Sequence, residues 1–456
     1  MSSATLGWGQ IARLGLVQAS LGAVVVLTTS TLNRVIVVEL ALPALLPGLL
    51  VAWHYLLQVL RPRMGYGSDV GGRRTPWIVG GIGVLACGGV GAALATVWMA
   101  SAPVAGIALA MLSFTLIGVG VSASGTSLLV LLAKQVDPAR RAAAATVVWL
   151  MMIAGFAVTA GIAGQLLDPY SPERLVAVTT GVSALAFCVT VIAMHRLERV
   201  PVDAAASQPS APAAGAATPS FREALAQVWA EPAARRFTTF VFISMLAYSA
   251  QDLILEPFAG TAFGFTPGES TRLSGVQHGG VLAGMLLAGF AGSRFAGRPL
   301  GSLRVWTVGG CLASALALLG LVASGLVGTG WPFKANVFVL GAANGAFSIA
   351  AIGSMLRMAG EGREAREGVR MGLWGGAQAI AFGLGGLAGA AASDLARRLI
   401  GSPGAAYASV FACEALLFVV AALLAARIGR ETVRPVRAAR EDPPPAHAVA
   451  VRMETR

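Results

Sequence analysis

The chain has only two lysines, Lys134 and Lys334, and neither follows a glycine. No GxxxxGK[ST] phosphate loop exists, so the chain carries no machinery of its own for ATP hydrolysis. The four cysteines, Cys87, Cys188, Cys311 and Cys413, stand apart without CxxC spacing. They read as small buried hydrophobes rather than as a zinc or redox site. Only 12% of residues are charged, and no nucleophile, metal cluster or phosphate loop is visible. An enzyme is therefore the remote reading, and no metal site is expected. What is abundant is apolar: 56% of 456 residues are hydrophobic and the mean hydropathy is +0.74. That is far too apolar for a soluble protein of this size, so the chain is read as an integral membrane protein.

A bilayer core of about 30 Å needs roughly 20 apolar residues per helix. Runs of that length recur at 11–32, 41–60, 77–98, 104–132, 143–167, 175–195, 237–258, 273–293, 303–327, 333–356, 371–395 and 405–427. Twelve spans follow. The runs are continuous and rich in Leu, Ala and Gly, whereas porin strands alternate polar and apolar positions, so a barrel is rejected. The first run is long enough to span and lacks a small-residue cleavage pattern, so it is kept as a helix rather than a signal peptide. Alternate loops hold 27 and 6 of the 33 basic residues, and the positive-inside rule then makes both termini cytoplasmic. The net charge of +12 is thus a matter of topology, and no nucleic-acid partner is expected.

The longest break falls between spans six and seven. Its first part, Val200 to Pro219, is rich in Ala, Pro and Ser and reads as a linker. The stretch that follows, with Ser220 and Glu223 as a capping box, suggests a short interfacial helix. The expected organisation is residues 1–199 as an N-terminal six-helix half, 200–236 as a cytoplasmic linker, 237–427 as a C-terminal six-helix half and 428–456 as a disordered cytoplasmic tail.

A six-plus-six chain invites a search for repeats. Pro43, His54, Gly65 and Asp69 are spaced by 11, 11 and 4 residues, and Pro267, His278, Gly289 and Ser293 repeat those spacings. Between spans two and three lies GYGSDVGGRR, with Gly65, Asp69, Gly72, Arg73 and Arg74. A weaker echo, Ser293, Arg294, Gly297 and Arg298, follows span eight. Asp69 can take charge-assisted hydrogen bonds from arginines, and the glycines permit tight turns. This loop and its echo make the chain resemble the major facilitator superfamily. The resemblance implies an all-α membrane fold of twelve transmembrane helices in two pseudo-symmetric six-helix halves. It also implies that Gly65, Asp69, Gly72, Arg73, Arg74, Ser293, Arg294 and Arg298 form a cytoplasmic latch. Val70 stands where the superfamily usually has a basic residue, and Ser293 replaces an Asp, so the latch is read as weakened.

A narrower resemblance lies in TLNRVIVVELALP, Thr31 to Pro43, together with RPRMGYGSDVGGRRTPWI, Arg61 to Ile78. These stretches are similar to the PucC family of photosynthetic bacteria. That implies support of light-harvesting complex assembly or the handling of bacteriochlorophyll, with bacteriochlorophyll or a precursor as bound ligand. It further implies light-harvesting polypeptides and pigment-synthesis enzymes as partners, in a bacterial inner, intracytoplasmic photosynthetic membrane. The alternative is a proton-coupled secondary transporter of a small molecule.

Two constellations could carry such work. His54 and His278 occupy matching places in spans two and eight, and a neutral imidazole can ligate a chlorin magnesium. The competing reading is a histidine hydrogen-bonded to another helix. Arg34, Glu39, Asp252 and Glu256 lie near the ends of spans one and seven, and charges there are paired or functional. Arg34 bridging Asp252 and Glu256 would close the outer side between the halves; the competing reading leaves all four at the water interface. Gln18, Asn344 and Glu414 are further polar residues at membrane depth, lining a cavity or joining helices.

Overall fold

The computed structural model describes residues 6–60, 73–137, 140–198, 226, 229–294, 298, 301–360 and 367–428. Among them there are helices and turns but no strand. We number the membrane helices α1 (Trp8–Glu39), α2 (Leu45–Leu56), α3 (Thr75–Met99), α4 (Pro103–Gln135), α5 (Arg141–Leu166), α6 (Pro172–Met194), α7 (Pro232–Phe263), α8 (Pro267–Arg294), α9 (Leu303–Val327), α10 (Phe333–Gly360), α11 (Glu367–Leu399) and α12 (Pro403–Ile428). Proline opens α6, α7, α8 and α12, where its missing N–H costs no intrahelical bond.

Eleven of these are long and apolar enough to cross a bilayer. α2 is the exception, and it corrects the expected span of 41–60. Ala41 takes a left-handed φ of 52° and Pro43 lacks a donor, so helix begins only at Leu45. Its 12 residues cover about 18 Å, continued by a 3₁₀ turn over Leu57–Leu60.

Each half has its own apolar core. Ile11, Leu85, Phe114 and Leu175 belong to the first, and Phe240, Phe347, Phe411 and Phe418 to the second. Lipid tails are as apolar as leucine, so helices associate through close packing rather than hydrophobic burial. The α8–α10 contact shows this. A Cβ on Gly284 would come within 1.9 Å of the Ala342 carbonyl oxygen, so the backbones meet where only glycine fits.

Between the halves, α2 packs on α11 and α5 on α8, while α1 faces α7. The first two contacts exchange under the pseudo-two-fold that relates α1–α6 to α7–α12. Gly65, Asp69 and Gly72 of the latch loop lie outside the described residues, as do the Ser220–Glu223 capping box, residues 429–456 of the tail and most of the expected linker 200–236, whose last residues from Pro232 already belong to α7.

Candidate functional site between the halves

The end of the site away from the termini is built by an irregular α1. At 32 residues this helix is longer than a span requires, and two segments, Leu27–Thr31 and Val35–Glu39, are π-helical. Such turns frequently mark functional positions. Here the first overlaps the polar run Thr28 to Arg34 and the second follows directly after it. The hydroxyls of Thr28 and Thr29 donate to the Val25 carbonyl at 2.8 and 3.0 Å, keeping that stretch satisfied within the helix. The next residues reach across to the other half. Ser30 meets Ser274 at 3.2 Å and Thr31 meets Thr271 at 3.0 Å, and the Asn33 amide donates to the Leu253 carbonyl at 2.6 Å. All six are buried.

Arg34 is 2% exposed. It does not bridge Asp252 and Glu256 as expected. Its guanidinium pairs with Glu39 at 2.5 Å and donates to the Phe265 carbonyl at 2.5 Å. Five residues on an α-helix lie about 140° apart, which hid this partner from the sequence; the π turn brings Glu39 onto the face of Arg34. Gly260 makes room, since a Cβ there would lie 3.0 Å from an Arg34 nitrogen. Glu256 is buried close to Arg34, with the Ser30, Ser270 and Ser274 hydroxyls around it. Neither of its oxygens makes a hydrogen bond of normal geometry among the described residues. Asp252 sits one turn away, half-buried, and accepts a long 3.5 Å contact from Gln277. Glu414, on α12, is buried without a hydrogen-bond partner among the described residues and is electrostatically coupled to Asp252.

The two histidines differ. His54 is buried and uses both ring nitrogens: Nδ1 lies 3.1 Å from the Val51 carbonyl and Nε2 lies 3.3 Å from the Gln58 amide nitrogen. His278 is half-buried. Its Nδ1 is 2.9 Å from the Ser274 carbonyl, and a carbonyl only accepts, so the proton is on Nδ1. In the neutral ring Nε2 then carries the lone pair, and it has no hydrogen-bond partner among the described residues. The Phe156 ring stands edge-on to the imidazole with centroids 5.0 Å apart. A histidine oriented by a carbonyl at one nitrogen and open at the other is the usual form of a metal-ligating imidazole. Nε2 of His278 would be available to hold a chlorin magnesium; that of His54, with its lone pair engaged, would not.

Phe156 has a counterpart. Phe382 on α11 lies 5.5 Å from Tyr55, next to His54, and 5.8 Å from Tyr248. Twelve residues beyond each phenylalanine is an aspartate, Asp168 and Asp394. Asp168 accepts from Thr266 at 2.8 Å and pairs with Arg272 at 2.6 Å, at the start of α8. Asp394 accepts from the backbone N–H groups of Ala44 and Leu45 at 3.0 and 2.8 Å, at the start of α2, and pairs with Arg397 at 2.6 Å. Sequence reading missed both aspartates. The signal was present, since each Phe–Asp pair recurs 226 residues later, close to the 224 that separates Pro43 from Pro267. All these inter-half bonds cluster on the face away from the termini.

On the terminal face Arg74 opens α3, and Glu198 caps it. The carboxylate accepts from the Arg74 and Thr75 N–H groups at 2.7 and 2.8 Å and from the Thr75 hydroxyl at 2.7 Å. Burial pushes the Glu198 carboxyl up, but these bonds and the Arg74 charge outweigh it and hold the pKa below the usual glutamate value. Arg73 and Arg298 are exposed, and the structure describes only the backbone of Ser293 and Arg294, at the end of α8.

These features define an integral membrane protein of the major facilitator fold. A solved D-xylose-proton symporter shares it with a TM-score of 0.69 at 13% identity, covering 93% of this chain and 98% of that one. A bacterial homologue of the lysosomal transporter Spinster, inward-facing and occupied, gives 0.65 at 16% identity over 92% and 96%. Within that class, residues 31–433 match the family described as PUCC protein, and the chain belongs to the PucC family. It is 53% identical over 426 residues to the bacteriochlorophyll synthase 44.5 kDa chain of Rhodobacter capsulatus, covering 92% of this chain and 95% of that one. It is 31% identical over 437 residues to Protein PucC of Rhodobacter capsulatus, covering 90% of each.

Proposed function

We propose that this protein handles bacteriochlorophyll or a precursor for the assembly of light-harvesting complexes, without catalysing a reaction. In this reading it lies in the bacterial inner, intracytoplasmic photosynthetic membrane with both termini cytoplasmic, and serves light-harvesting polypeptides and pigment-synthesis enzymes. The observation that carries it is His278, half-buried between the halves with Nδ1 committed to Ser274 and Nε2 open. The family and the pigment-related name of a 53% identical relative supply the class of ligand. Bound there, the pigment would supply a magnesium able to accept the imidazole nitrogen. The protein's part is to orient the imidazole, to set the Phe156 edge beside it, and to shield the site from the face away from the termini.

The test is the absorption spectrum of protein purified from its own photosynthetic membrane. Wild type and His54→Ala are expected to retain pigment and His278→Ala to lose it; unchanged pigment in His278→Ala would sink the reading. Proton-coupled transport remains the second reading, favoured by one observation. Glu256 and Glu414 are buried carboxylates without hydrogen-bond partners of normal geometry among the described residues, and charges at membrane depth are functional by default. Proton-dependent uptake into vesicles, abolished by Glu414→Gln, would favour it.

A further inference from the structure

The terminal face holds a cavity of about 500 Å³ between α1 and α6, lined by Arg13, Val191, Ile192, His195 and Arg196. It lies outside the site between the halves, and none of its residues has a part there. Arg13 stands five residues beyond Trp8, an indole 50% exposed at the start of α1 and thus suited to the headgroup level of a bilayer. At 1.5 Å per residue the arginine is about 7.5 Å deeper along the helix. Its guanidinium turns to the end of α6, donating from Nε to the Ala193 carbonyl at 2.9 Å and from Nη2 to the carbonyls of Ile192 and His195 at 3.4 and 2.5 Å. They lie at the negative end of a helix dipole, where the Ile192 carbonyl also accepts the His195 N–H at 3.2 Å, so the arginine neutralises that end. Its Nη1 makes no hydrogen bond among the described residues.

Just past this cap the chain turns through Arg196 with a left-handed φ of 52°, a region sparsely populated by residues other than glycine. The turn leaves His195 and Arg196 exposed at the rim, and Arg196 has no ion pair among the described residues. Among the described residues no acidic one lines the cavity, and the nearby Glu198 is committed to α3. Two guanidinium groups therefore face one space without a counter-charge among the described residues. The wall that continues into the membrane is hydrocarbon: Leu16 on α1 and Leu185 and Ile192 on α6 are 43%, 65% and 71% exposed.

We infer that this cavity binds one anionic phospholipid, its phosphodiester held by Arg13 and Arg196 and its acyl chains lying along Leu16, Leu185 and Ile192. Guanidinium forks match phosphate geometry, and basic pockets between membrane helices suit anionic headgroups. The apolar wall selects a lipid over a soluble anion, because a free phosphate gains nothing from it.

The full chain, reconstituted in nanodiscs of phosphatidylcholine containing phosphatidylglycerol, is released into native mass spectrometry. Wild type is expected to retain phosphatidylglycerol in preference to phosphatidylcholine. Arg196→Gln, which leaves the α6 cap intact, should weaken that retention roughly tenfold, as loss of one charge-assisted contact would. Inorganic phosphate should fail to displace the lipid. Equal retention of both lipids, or Arg196→Gln behaving as wild type, overturns the proposal. Displacement by phosphate overturns the lipid assignment in favour of a soluble anion.

Discussion

Arg34 carries more structural consequence than any other single residue on the face away from the termini. It is buried, charged and held by one carboxylate and one carbonyl, so anything that displaces it leaves an uncompensated charge, and that is strongly destabilising. Gly260→Ala is the mildest way to do so, because the new Cβ would lie 3.0 Å from an Arg34 nitrogen and 3.2 Å from its central carbon. Overpacking of this kind costs about 2 kcal/mol, and the expected outcome is a lower unfolding temperature in detergent with the helix content intact. A melting curve equal to wild type would show that Arg34 moves aside freely. Glu198 answers to pH instead. Its folded pKa lies below the unfolded value of about 4.3, so the unfolded chain binds more protons in between. The contribution is fully present above the unfolded pKa and is lost as pH falls through the folded one. Glu198→Gln should therefore show a shallower loss of thermal stability on acidification below about pH 4.3. Parallel curves for the two proteins would remove Glu198 as the titrating cap.

At the scale of elements, α2 depends on its neighbour. A short helix of 12 residues has few bonds of its own, and Asp394 on α11 supplies acceptors to the N–H groups of Ala44 and Leu45. Asp394→Ala removes two charge-assisted bonds at a positive helix end, expected to cost about 2 kcal/mol. Asp168→Ala should cost less, because Asp168 and Arg272 are more exposed and exposed pairs contribute little. Thermal unfolding of the two variants checks the order, and a reversed order would count against α2 as the dependent element. The elements were largely legible in the sequence. Spans follow from apolar length, and the repeat from Pro43, His54 and their partners at Pro267 and His278 located the paired helices α2 and α8. Two things were not legible. Helical periodicity assumes 3.6 residues per turn, so the π segments of α1 and the Arg34–Glu39 pair they create could not be foreseen. The second repeat, Phe156 and Asp168 with Phe382 and Asp394, was readable in principle, but its offset differs by two residues from the first and spacing alone did not single it out.

For the whole molecule the question is whether the halves move. On the face away from the termini they are joined by small hydroxyl pairs, one amide, the Arg34–Phe265 bond and two carboxylates. Each such bond contributes about 1 kcal/mol net, a scale at which a bound ligand could tip the balance between two arrangements. A covalent link at this seam separates a moving body from a fixed one. The Thr31 and Thr271 hydroxyls are 3.0 Å apart, close enough for Thr31→Cys and Thr271→Cys to approach disulfide geometry. Cys87, Cys188, Cys311 and Cys413 would first be replaced, three of them exposed and only Cys311 buried. Oxidation in membranes is expected to join the pair in high yield and, under the function proposed above, to halt delivery of pigment to newly made antenna polypeptides, with reduction restoring it. If the joined protein supports antenna assembly as well as the reduced one, the halves form a static scaffold, and His278 must be reached from the terminal face without any rocking of one half against the other.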